Sequence, residues 1–567
     1  MLLSTAKNPP NKSGELLTTR DIICVFFSLK TNWSMFYING DIIAVKSLEE
    51  FKTELQGIAD DIAEKDRSGK GLRAIVFIND LDVLRSILPD GQEQNARRTK
   101  NDVTYTLEFV TERLVFRNFN VIFNRRAQAV KKIFPDVPIC QGMAEFIKSL
   151  GLPLKCCRYS LAYVSKRKFY EDIKADLWED TKEHRRILRD VQTYKDMQCG
   201  NQGGALSSFE GSGDVRFEIL RGVISYDKKS AYPSYFVQDK FFPIGRIDRI
   251  VGNVQYRLGI LRGLIRRRAW FKIVAESTEE IPAFKLFRDV SYKERYVYGV
   301  EFWDYYTMRD AGLDMFAPLT AEGVKFRLYG TMETGYMPDC FRRKIVQLYD
   351  QKNALPKNSA EKFLKKTQLD MIYGKGLQKY EFADDQAVFK KYVMRGENFL
   401  TPAMSMHVVA GMRHEILKIA GHFAALGELI ALDTDGVKSD GDEAATAEFF
   451  EMMNEYIRQK NRDAGFESDI GIWDHEYTAE KFMQFAPKVY AYQVIDEGIT
   501  CKFAGIQERH LKKYMRSIDG DPFEVWTRDG IKAQTCGGWY YIPDVGFLEK
   551  VVPFVIEREV NEDAGTD

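Results

Sequence analysis

Two aspartates separated by one threonine end an apolar stretch late in the chain. Asp433 and Asp435 lie in the segment Leu429–Val437, where Asp-Gly separates two apolar runs. Asp-Gly in that setting is a strong hairpin signal, and residues two apart on an extended chain share one face. Adjacent carboxylates repel unless a cation lies between them, and hard oxygen ligands suit Mg²⁺. The segment therefore predicts a metal-binding hairpin tip, with an exposed Asp-rich turn as the alternative.

A third aspartate ends another apolar strand. Val223-Ile-Ser-Tyr leads into Asp227, and Tyr232-Pro233 predicts the start of a helix after a short turn. Because Asp227 and Asp433 lie far apart in sequence, only the tertiary fold could bring them together. Three carboxylates around one or two metal ions form the arrangement used for in-line phosphoryl displacement. The alternative for Asp227 alone is a helix cap.

Between these strands, one predicted helix carries an ammonium, a carboxylate and an aromatic ring along one face. Lys366, Asp370 and Tyr373 fall at i, i+4 and i+7, and residues so spaced line one side of a helix. Such groups fit a triphosphate, a sugar or base edge, and a stacking base. An upstream helix is predicted over 341–355, and Pro356 begins the turn between the two. We predict a basic helical hairpin, with a solvated charged face as the alternative.

Length and composition bound the class of protein. A chain of 567 residues corresponds to about three to four domains. Lysine plus arginine and aspartate plus glutamate both total 82, so the net charge of zero excludes a strongly basic, histone-like binder. The eight cysteines contain no C-x-x-C pair, which excludes a zinc knuckle and favours a cytoplasmic location. No apolar run approaches the roughly 18 residues of a membrane span.

Strand-like and helical segments alternate in the N-terminal region. Short apolar runs predict strands at Ile22–Phe27 and Ala74–Ile78, and residues 47–63 predict a helix. Residues 176–197 predict a long charged helix that ends at the glycine-rich segment Cys199–Gly204. We interpret this break as the main domain boundary, following an α/β or α+β unit.

An acid-free segment between Gly252 and Val274 is a further basic feature. Its cations are Arg257, Arg262, Arg266, Arg267, Arg268 and Lys272. They are interleaved with Tyr256, Trp270 and Phe271. This composition predicts contact with nucleic-acid phosphates, with a solvated strand face as the alternative.

The order of the three main segments resembles family B DNA polymerases, most closely the small protein-primed enzymes of phages and linear plasmids. Asp227-x-x-Ser-x-Tyr232-Pro resembles motif A, Lys366-x-x-x-Asp370-x-x-Tyr-Gly resembles motif B, and Asp433-Thr-Asp435 resembles motif C. Similar later segments are 401–413, 471–476, 488–490 and 502–505. The resemblance is specific from about Gly203 to Gly505.

This resemblance implies an α/β and α+β multidomain chain. A right-hand polymerase with palm, fingers and thumb would follow an RNase H-like exonuclease-type domain. The implied domains are 1–200, degenerate exonuclease-like; 201–335, the first palm segment with the terminal-protein-region insertion; 336–375, fingers; 376–505, a reduced second insertion and the second palm segment; and 506–567, thumb and C-terminal tail.

The resemblance also implies the roles of individual residues. Asp227 and Asp435, assisted by Asp433, would hold two Mg²⁺ ions, or Mn²⁺, for attack of a primer hydroxyl on the α-phosphate. The nucleotide-binding residues would be Tyr232, Lys352, Lys366, Asp370 and Tyr373, with Tyr232 excluding a 2′-hydroxyl. Primer and template would be bound by Arg413, Lys488, Tyr490 and Lys502. The implied partners are primer-template DNA, deoxynucleoside triphosphates and a terminal protein as primer.

Departures from the family pattern keep two alternatives open. Asp370 stands where motif B normally has Asn, which places a negative charge near the nucleotide. The first exonuclease motif, Asp-x-Glu, falls on Phe26-Phe27-Ser28, and only Asp190 remains of Tyr-x-x-x-Asp at Arg186–Asp190. The exonuclease is therefore predicted to be inactive, although Asn79 with Asp80 or Asp82 could be a remnant of its second motif. The alternatives are a primer-independent or non-templated polymerase and a nucleic-acid-binding scaffold.

Overall fold

A computed structural model describes most of the chain from residue 217 onward and separate stretches before it. The described residues are 22–27, 33–36, 42–45, 50, 53–57, 59–60, 74–78, 96–99, 102–110, 114–118, 149–151, 161–180, 191–200, 205–206, 217–290, 292, 294–356, 359–377, 387, 389, 400–506, 508–542 and 546–557.

The chain forms two compact units, each assembled from separate stretches. The first comprises Met1–Lys168, Leu355–Thr367 and Thr535–Val552, and the second comprises Phe169–Ala354, Gln368–Gln534 and Pro553–Asp567. The chain therefore passes between the two units several times.

A seven-stranded sheet lies in the first unit. Its strands in chain order are β1 (Ile22–Phe27), β2 (Trp33–Phe36), β3 (Ile42–Val45), β4 (Ala74–Ile78), β5 (Ala96–Thr99), β6 (Asp102–Val110) and β7 (Leu114–Asn118). They are arranged in the order β3-β2-β1-β4-β7-β6-β5. Strand β4 runs parallel to β1 and β7, and the other neighbours are antiparallel. Both strands predicted here, β1 and β4, are confirmed.

The residues predicted to replace the exonuclease carboxylates are only partly described. Phe26 and Phe27 are the last two residues of β1. The others lie outside the described residues: Ser28, Asn79, Asp80, Asp82 and Arg186–Asp190.

The helices whose first and last residues are both described lie in both units. In chain order they are α1 (Leu161–Asp180), α2 (Val191–Gln198), α3 (Ala231–Gln238), α4 (Val254–Arg266), α5 (Phe302–Asp310), α6 (Phe316–Thr320), α7 (Asp339–Ala354), α8 (Ala360–Gly376), α9 (Pro402–Leu426), α10 (Glu443–Asp463), α11 (Glu508–Ser517) and α12 (Pro522–Asp529). The predicted helix over 176–197 corresponds to the end of α1 and to α2, and the predicted helix over 47–63 is helical at 50, 53–57 and 59–60. None of the helices described is both long and apolar enough to cross a bilayer.

The later strands build four further sheets and a terminal hairpin. They are β8 (Ala205–Leu206), β9 (Val223–Lys228), β10 (Phe242–Pro243), β11 (Asp248–Ile250), β12 (Phe271–Ser277), β13 (Tyr296–Glu301), β14 (Lys325–Gly330), β15 (Thr334–Gly335), β16 (Leu429–Thr434), β17 (Gly436–Ser439), β18 (Trp473–Ala479), β19 (Lys481–Ala486), β20 (Val489–Gln493), β21 (Thr500–Phe503), β22 (Ile531–Ile542) and β23 (Gly546–Ile556). Their sheets have the orders β18-β9-β17-β16-β8, β11-β14-β12-β13, β19-β20-β21, β10-β15 and β22-β23.

The antiparallel sheet β18-β9-β17-β16-β8 carries the predicted aspartates. Its interior strand β9, between β18 and β17, is buried from Val223 to Tyr226, as the apolar run predicts. Helix α9 packs beside this sheet with an almost continuous buried surface from Pro402 to Arg413. The Thr401 side chain caps α9 by accepting a hydrogen bond from the Met404 amide, and a threonine at this position stabilises a helix start.

The acid-free segment is a helix and a buried strand, and the strand-face alternative was wrong. Helix α4 buries Leu258, Leu261 and Leu264, a spacing that produces one apolar side. The chain then enters β12 within the sheet β11-β14-β12-β13. Three arginines, Arg257, Arg262 and Arg266, lie among the remaining positions of α4.

Some of the predicted phosphate-binding surface is inside the protein. Lys272 is 0% exposed and donates a hydrogen bond to the Cys199 carbonyl at 2.7 Å. Trp270 and Phe271 are also 0% exposed. These three residues cannot contact a phosphate, whereas Arg262 and the arginines at 266–268 remain exposed.

Two glycines allow α2 to end against β13. A Cβ built on Gly200 would lie 2.4 Å from the Gly299 carbonyl oxygen, and one built on Gly299 would lie 2.1 Å from the Cys199 carbonyl oxygen. The two backbones therefore touch directly. Gly200 also has φ of 78°, a conformation that glycine adopts without a steric penalty.

A buried ionic network joins α9 to β13 and to the end of α3. The His407 ring lies 2.6 Å from a Glu301 oxygen and 2.9 Å from an Asp239 oxygen. Trp270 and Trp303 donate to the same two carboxylates. Burial alone would lower the pKa of His407, but the Glu301 and Asp239 carboxylates raise it to about 10. His407 is therefore a structural cation.

The free energy of unfolding should depend on pH through His407. The pKa of this ring rises from 6.5 to about 10 on folding, so its contribution is complete below pH 6.5 and is lost as pH rises through 10, by at most about 1.4 kcal/mol per pH unit. His407→Gln should be much less stable than wild type at pH 7, and the difference should shrink toward pH 10. Urea unfolding of both proteins across this range measures the difference. A gap independent of pH, or an equal gap for the exposed-site control His422→Gln, would contradict the assignment.

Candidate active site

Asp227 lies near the end of β9, an interior strand of the five-stranded sheet. Strand β9 pairs on one side with β17, where Gly436 is opposite Asp227, and on the other with β18, where Asp474 is opposite Asp227. The predicted order of strand, Asp227, turn and helix is confirmed, since α3 begins at Ala231. Lys228, the next residue, donates its backbone amide to the Asp435 carbonyl at 2.9 Å. The backbone directly after Asp227 is thereby hydrogen-bonded to the Asp-Thr-Asp segment.

The Asp-Thr-Asp segment forms the predicted hairpin, but its turn differs in detail. Strands β16 and β17 pair antiparallel, and the Asp435 amide donates to the Asp433 carbonyl at 2.7 Å. The residue with positive φ is Thr434, at 66°, a rare conformation for a β-branched side chain. Gly436 has no positive φ, and a Cβ there would make only ordinary contact, 3.4 Å from the Asp227 Oδ1 atom.

The carboxylates interact strongly with one another. Burial, followed by the charges of Asp435 and Glu476, raises the pKa of Asp227 to about 8. Burial and the Asp433 charge raise the pKa of Asp435 to about 6. The fold therefore brings together Asp227, Asp433 and Asp435, as the sequence predicted, and adds Glu476 from β18.

Hard oxygen ligands of this kind fit Mg²⁺ or Mn²⁺ in chemistry. A divalent cation would also relieve the mutual repulsion that raises these pKa values. Within the described residues, however, no three His, Cys, Asp or Glu side chains are already grouped closely enough to hold an ion.

A buried ion pair supports the strand that carries Asp227. The Lys228 ammonium, 0% exposed, donates to Glu415 of α9 at 2.5 Å. Glu415 also accepts hydrogen bonds from Tyr235 at 2.5 Å and Trp473 at 3.2 Å. Burial alone would raise the pKa of Glu415, but Lys228 brings it down to about 2. One carboxylate thus connects β9, α3, β18 and α9 directly beneath the catalytic candidates.

Two tyrosines predicted for the nucleotide site are in contact. The rings of Tyr232 and Tyr373 are stacked, with centroids 4.1 Å apart. Ser230, just before α3, has φ of 50°, and its hydroxyl accepts a hydrogen bond from the Lys352 ammonium at 2.9 Å. The structure therefore brings Tyr232, Tyr373 and Lys352 to motif A.

The other two nucleotide candidates lie on α8. Asp370 is exposed, and its charge contributes to the raised pKa values of Tyr373 and Asp435. Lys366 is also exposed but belongs to the first compact unit. The helical spacing predicted for Lys366, Asp370 and Tyr373 is confirmed, because α8 spans all three residues.

Three of the primer and template candidates lie on or beside the sheet β19-β20-β21. The Lys488 ammonium is 3.8 Å from Asp433, and the Tyr490 hydroxyl donates to the same carboxylate at 3.5 Å. Lys502 is opposite Tyr490 on β21 and is exposed. These residues thus extend from the carboxylates along one sheet.

Arg413 has a different environment from the one predicted. Its side chain is 2% exposed and pairs with Asp304 at 2.6 Å, and Asp304 is itself 0% exposed. The guanidinium also lies over the Phe287 ring. This placement contradicts the predicted contact with the phosphate backbone of a primer or template strand, because a buried, paired guanidinium cannot reach a phosphate. Arg413 instead joins α9 to α5.

Sequence reasoning missed Glu476, Lys438 and Glu415 as members of the site. Glu476 accepts a hydrogen bond from Ser225 of β9 at 3.1 Å. Lys438 follows Gly436 by two positions in β17. Because side chains alternate between the two faces of a sheet, the sequence could have placed Lys438 on the same face as Gly436. No local signal marks Glu415, because its role depends on residues of three other elements.

Comparisons with known proteins agree with this arrangement. No family model and no curated protein sequence matches the chain. The solved structure of phi29 DNA polymerase with primer-template DNA and incoming nucleotides aligns with a TM-score of 0.58 at 13% identity, covering 95% of this chain and 100% of that one. Its orthorhombic crystal form aligns with a TM-score of 0.58 at 14% identity and the same coverage. The chain has the fold of phi29 DNA polymerase.

The complex of phi29 DNA polymerase with single-stranded DNA also aligns, with a TM-score of 0.54 at 14% identity. Because phi29 DNA polymerase is a protein-primed family B enzyme, the resemblance inferred from the three motifs is confirmed for the fold. The predicted right-hand polymerase with an RNase H-like N-terminal domain is confirmed with it. At this identity the similarity is one of architecture.

Proposed function

We propose that this protein is a template-directed DNA polymerase that adds deoxynucleotides to a 3′-hydroxyl. One observation carries the proposal. The strand-end Asp227 and the hairpin Asp435 are joined through the backbone of Lys228 and interact through their charges. Two carboxylates from distant motifs, placed side by side on a polymerase fold, fit phosphoryl transfer. The reaction would take place in the cytoplasm.

Each group around the carboxylates has a role in this proposal. Tyr373 packs against the nascent base pair, and Tyr232 lies under the sugar. Lys352 neutralises the triphosphate, which requires it to leave Ser230, whereas the same role for Lys366 stays a prediction from the resemblance. Lys488, Tyr490 and Lys502 hold the primer end against Asp433.

Asp227 and Asp435, with Asp433 and Glu476, would hold two Mg²⁺ or Mn²⁺ ions. Bound there, the ions would stabilise charge on the attacking and leaving oxygens. The protein's contribution is to place the carboxylates on one rigid sheet, so that little reorganisation is needed during the reaction.

The interval between motifs A and B supports protein priming. It contains the sheet β11-β14-β12-β13 with α4, the position of the family's terminal-protein-region insertion. We propose that a terminal protein supplies the first hydroxyl.

Primer extension tests the function directly. A 5′-labelled primer annealed to a longer template, with Mg²⁺ and all four deoxynucleotides, should be extended to the template end. Omitting one deoxynucleotide should stop extension at the position that requires it. Extension without template would favour a non-templated polymerase, and no extension under any condition would favour a scaffold.

The protein should not proofread. Phe26 and Phe27 offer no ligand for a hard cation, and Ser28 carries no charge to balance one. A 5′-labelled single-stranded oligonucleotide incubated with Mg²⁺ or Mn²⁺ and no nucleotides should therefore stay full length. Shortening from the 3′ end that persists in Asp227→Ala would contradict this prediction. Asp80, Asp82 and Asp190 would then be the first residues to substitute.

A further inference from the structure

Lys438 lies on the face of the sheet that carries Asp227, on a strand that is hydrogen-bonded on both sides. It is the third residue of β17, whose four residues are all buried, and its own exposed fraction is 2%. Strand β17 is hydrogen-bonded to β9 on one side and to β16 on the other. Lys438 is opposite Ser225 of β9, just as Gly436 is opposite Asp227. Since side chains two apart share a face, Lys438 is on the same side of the sheet as Asp227.

The residues beside Lys438 are hydrogen-bonded to two further carboxylates, those of Asp433 and Glu476. The ammonium lies 4.4 Å from the centroid of the Tyr490 ring, a favourable position for a cation. The Tyr490 hydroxyl bonds to Asp433, and Ser225, opposite Lys438, bonds to Glu476. The lysine therefore shares a face of the sheet with Asp227 and lies beside the groups that bond to Asp433 and Glu476.

The charges of these groups act on one another. Burial lowers the pKa of Lys438, and the charges of Asp433, Glu476 and Asp227 oppose that effect. In turn, Lys438 lowers the pKa of Asp227, against the repulsion from Asp435 and Glu476. An ammonium buried away from water is costly unless negative groups compensate it. This cluster provides that compensation.

The other lysines of the site differ in one respect. Lys488 and Lys502 are exposed and can turn toward a nucleic acid. Lys438 is buried against the Tyr490 ring on a strand that is hydrogen-bonded on both sides, so its charge lies beside the carboxylates.

We propose that Lys438 is a positioning residue that acts as a resident counter-cation of the carboxylate cluster, holding it together before metal binds and weakening its affinity for divalent cations. The proposal rests on the proposed function only in taking these carboxylates as the cation site. It has an unusual consequence, because removing a residue of the site should make cation binding tighter.

Mn²⁺ binding to the full-length protein tests this consequence. Free Mn²⁺ is measured by electron paramagnetic resonance, with no DNA or nucleotide present. Lys438→Met should bind Mn²⁺ at least about tenfold more tightly, since a positive charge within several ångströms of a divalent ion has been removed. Lys438→Arg should bind like wild type. The control is Lys481→Met. It removes a partly exposed lysine of β19 that is paired with Asp521, and it should leave the Mn²⁺ affinity unchanged.

Thermal unfolding provides the second measurement. Without metal, Lys438→Met should melt below wild type because four carboxylates lose their buried cation. Saturating Mn²⁺ should close most of that gap. A lysine needed only for packing would lower the midpoint equally with and without metal.

The outcomes separate this inference from the proposed function. A folded Lys438→Met that binds Mn²⁺ no more tightly than wild type overturns the inference, as does a wild type that binds no Mn²⁺. If Lys438→Met does not fold, the double variant Lys438→Met/Glu476→Gln decides, since it removes opposite charges together. It should bind Mn²⁺ about as wild type does, and much weaker binding would overturn the inference. None of these measurements requires catalysis, so a wild type that binds Mn²⁺ but never extends a primer would refute only the proposed function.

Discussion

Asp435→Asn and Asp227→Asn should each reduce primer extension by about 1000-fold at saturating Mg²⁺ and nucleotide. Each substitution removes a ligand for ions whose stabilisation of the transition state is worth several kcal/mol, and every 1.4 kcal/mol or so is tenfold in rate. Single-turnover extension of a labelled primer measures the loss. The matched control is Asp474→Asn, which makes the same charge change at an exposed position opposite Asp227 on β18. Activity within tenfold of wild type in both site variants would refute the assignment.

The stability of Asp227→Asn should show that this loss is not caused by unfolding. Burial and the neighbouring carboxylates raise the pKa of Asp227 from 3.8 to about 8. The metal-free protein therefore loses stability as pH rises from about 4 to about 8, because the carboxyl group ionises more readily in the unfolded state, and this loss is complete above pH 8. Asn cannot ionise. At pH 9 without metal, Asp227→Asn should therefore melt at or above the wild-type temperature. A lower midpoint would mean that Asp227 supports the fold.

Tyr232→Val should raise the use of ribonucleotides relative to deoxynucleotides by at least about tenfold, equivalent to about 1.4 kcal/mol in relative barriers. The Tyr232 ring is 8% exposed and stacked on Tyr373, so it cannot move aside for a 2′-hydroxyl. Valine is shorter and leaves that space open. The ratio of kcat/KM for a ribonucleotide and its deoxy counterpart, measured for one template base, quantifies the effect.

Tyr232→Phe is the control for that experiment. It keeps the ring and should keep the wild-type ratio, because the proposed exclusion is steric. If Tyr232→Val leaves the ratio unchanged, sugar selection lies elsewhere. If Tyr232→Phe alone changes it, the hydroxyl rather than the ring is responsible.

The features of the site that could be predicted are those encoded locally. Val223–Asp227 and Leu429–Asp435 are apolar runs ending in acids, and both end where the sequence indicates. The spacing of Lys366, Asp370 and Tyr373 sufficed for one helix because i, i+4 and i+7 depend only on helical geometry.

What could not be predicted depends on residues distant in sequence. Arg413 lies in a segment that resembles a template-binding helix, yet its side chain is buried and paired with Asp304. Lys272 belongs to a basic segment, yet the end of α2 accepts its hydrogen bond. In both cases a cation that would be solvated in isolation is removed from the surface by a partner more than 70 positions away. Charge patterns along a chain do not reveal such partners.

The contact between Gly200 and Gly299 restricts how this protein can diverge. Neither position can gain a side chain on its own, because a methyl group at either would lie within 2.4 Å of the opposing backbone. Substituting both would worsen the overlap, so the usual route of compensation by a second mutation is closed. Homologues that keep this packing should therefore carry glycine at both positions even where the motifs drift. Glycine at both positions would therefore show whether a distant relative keeps this contact.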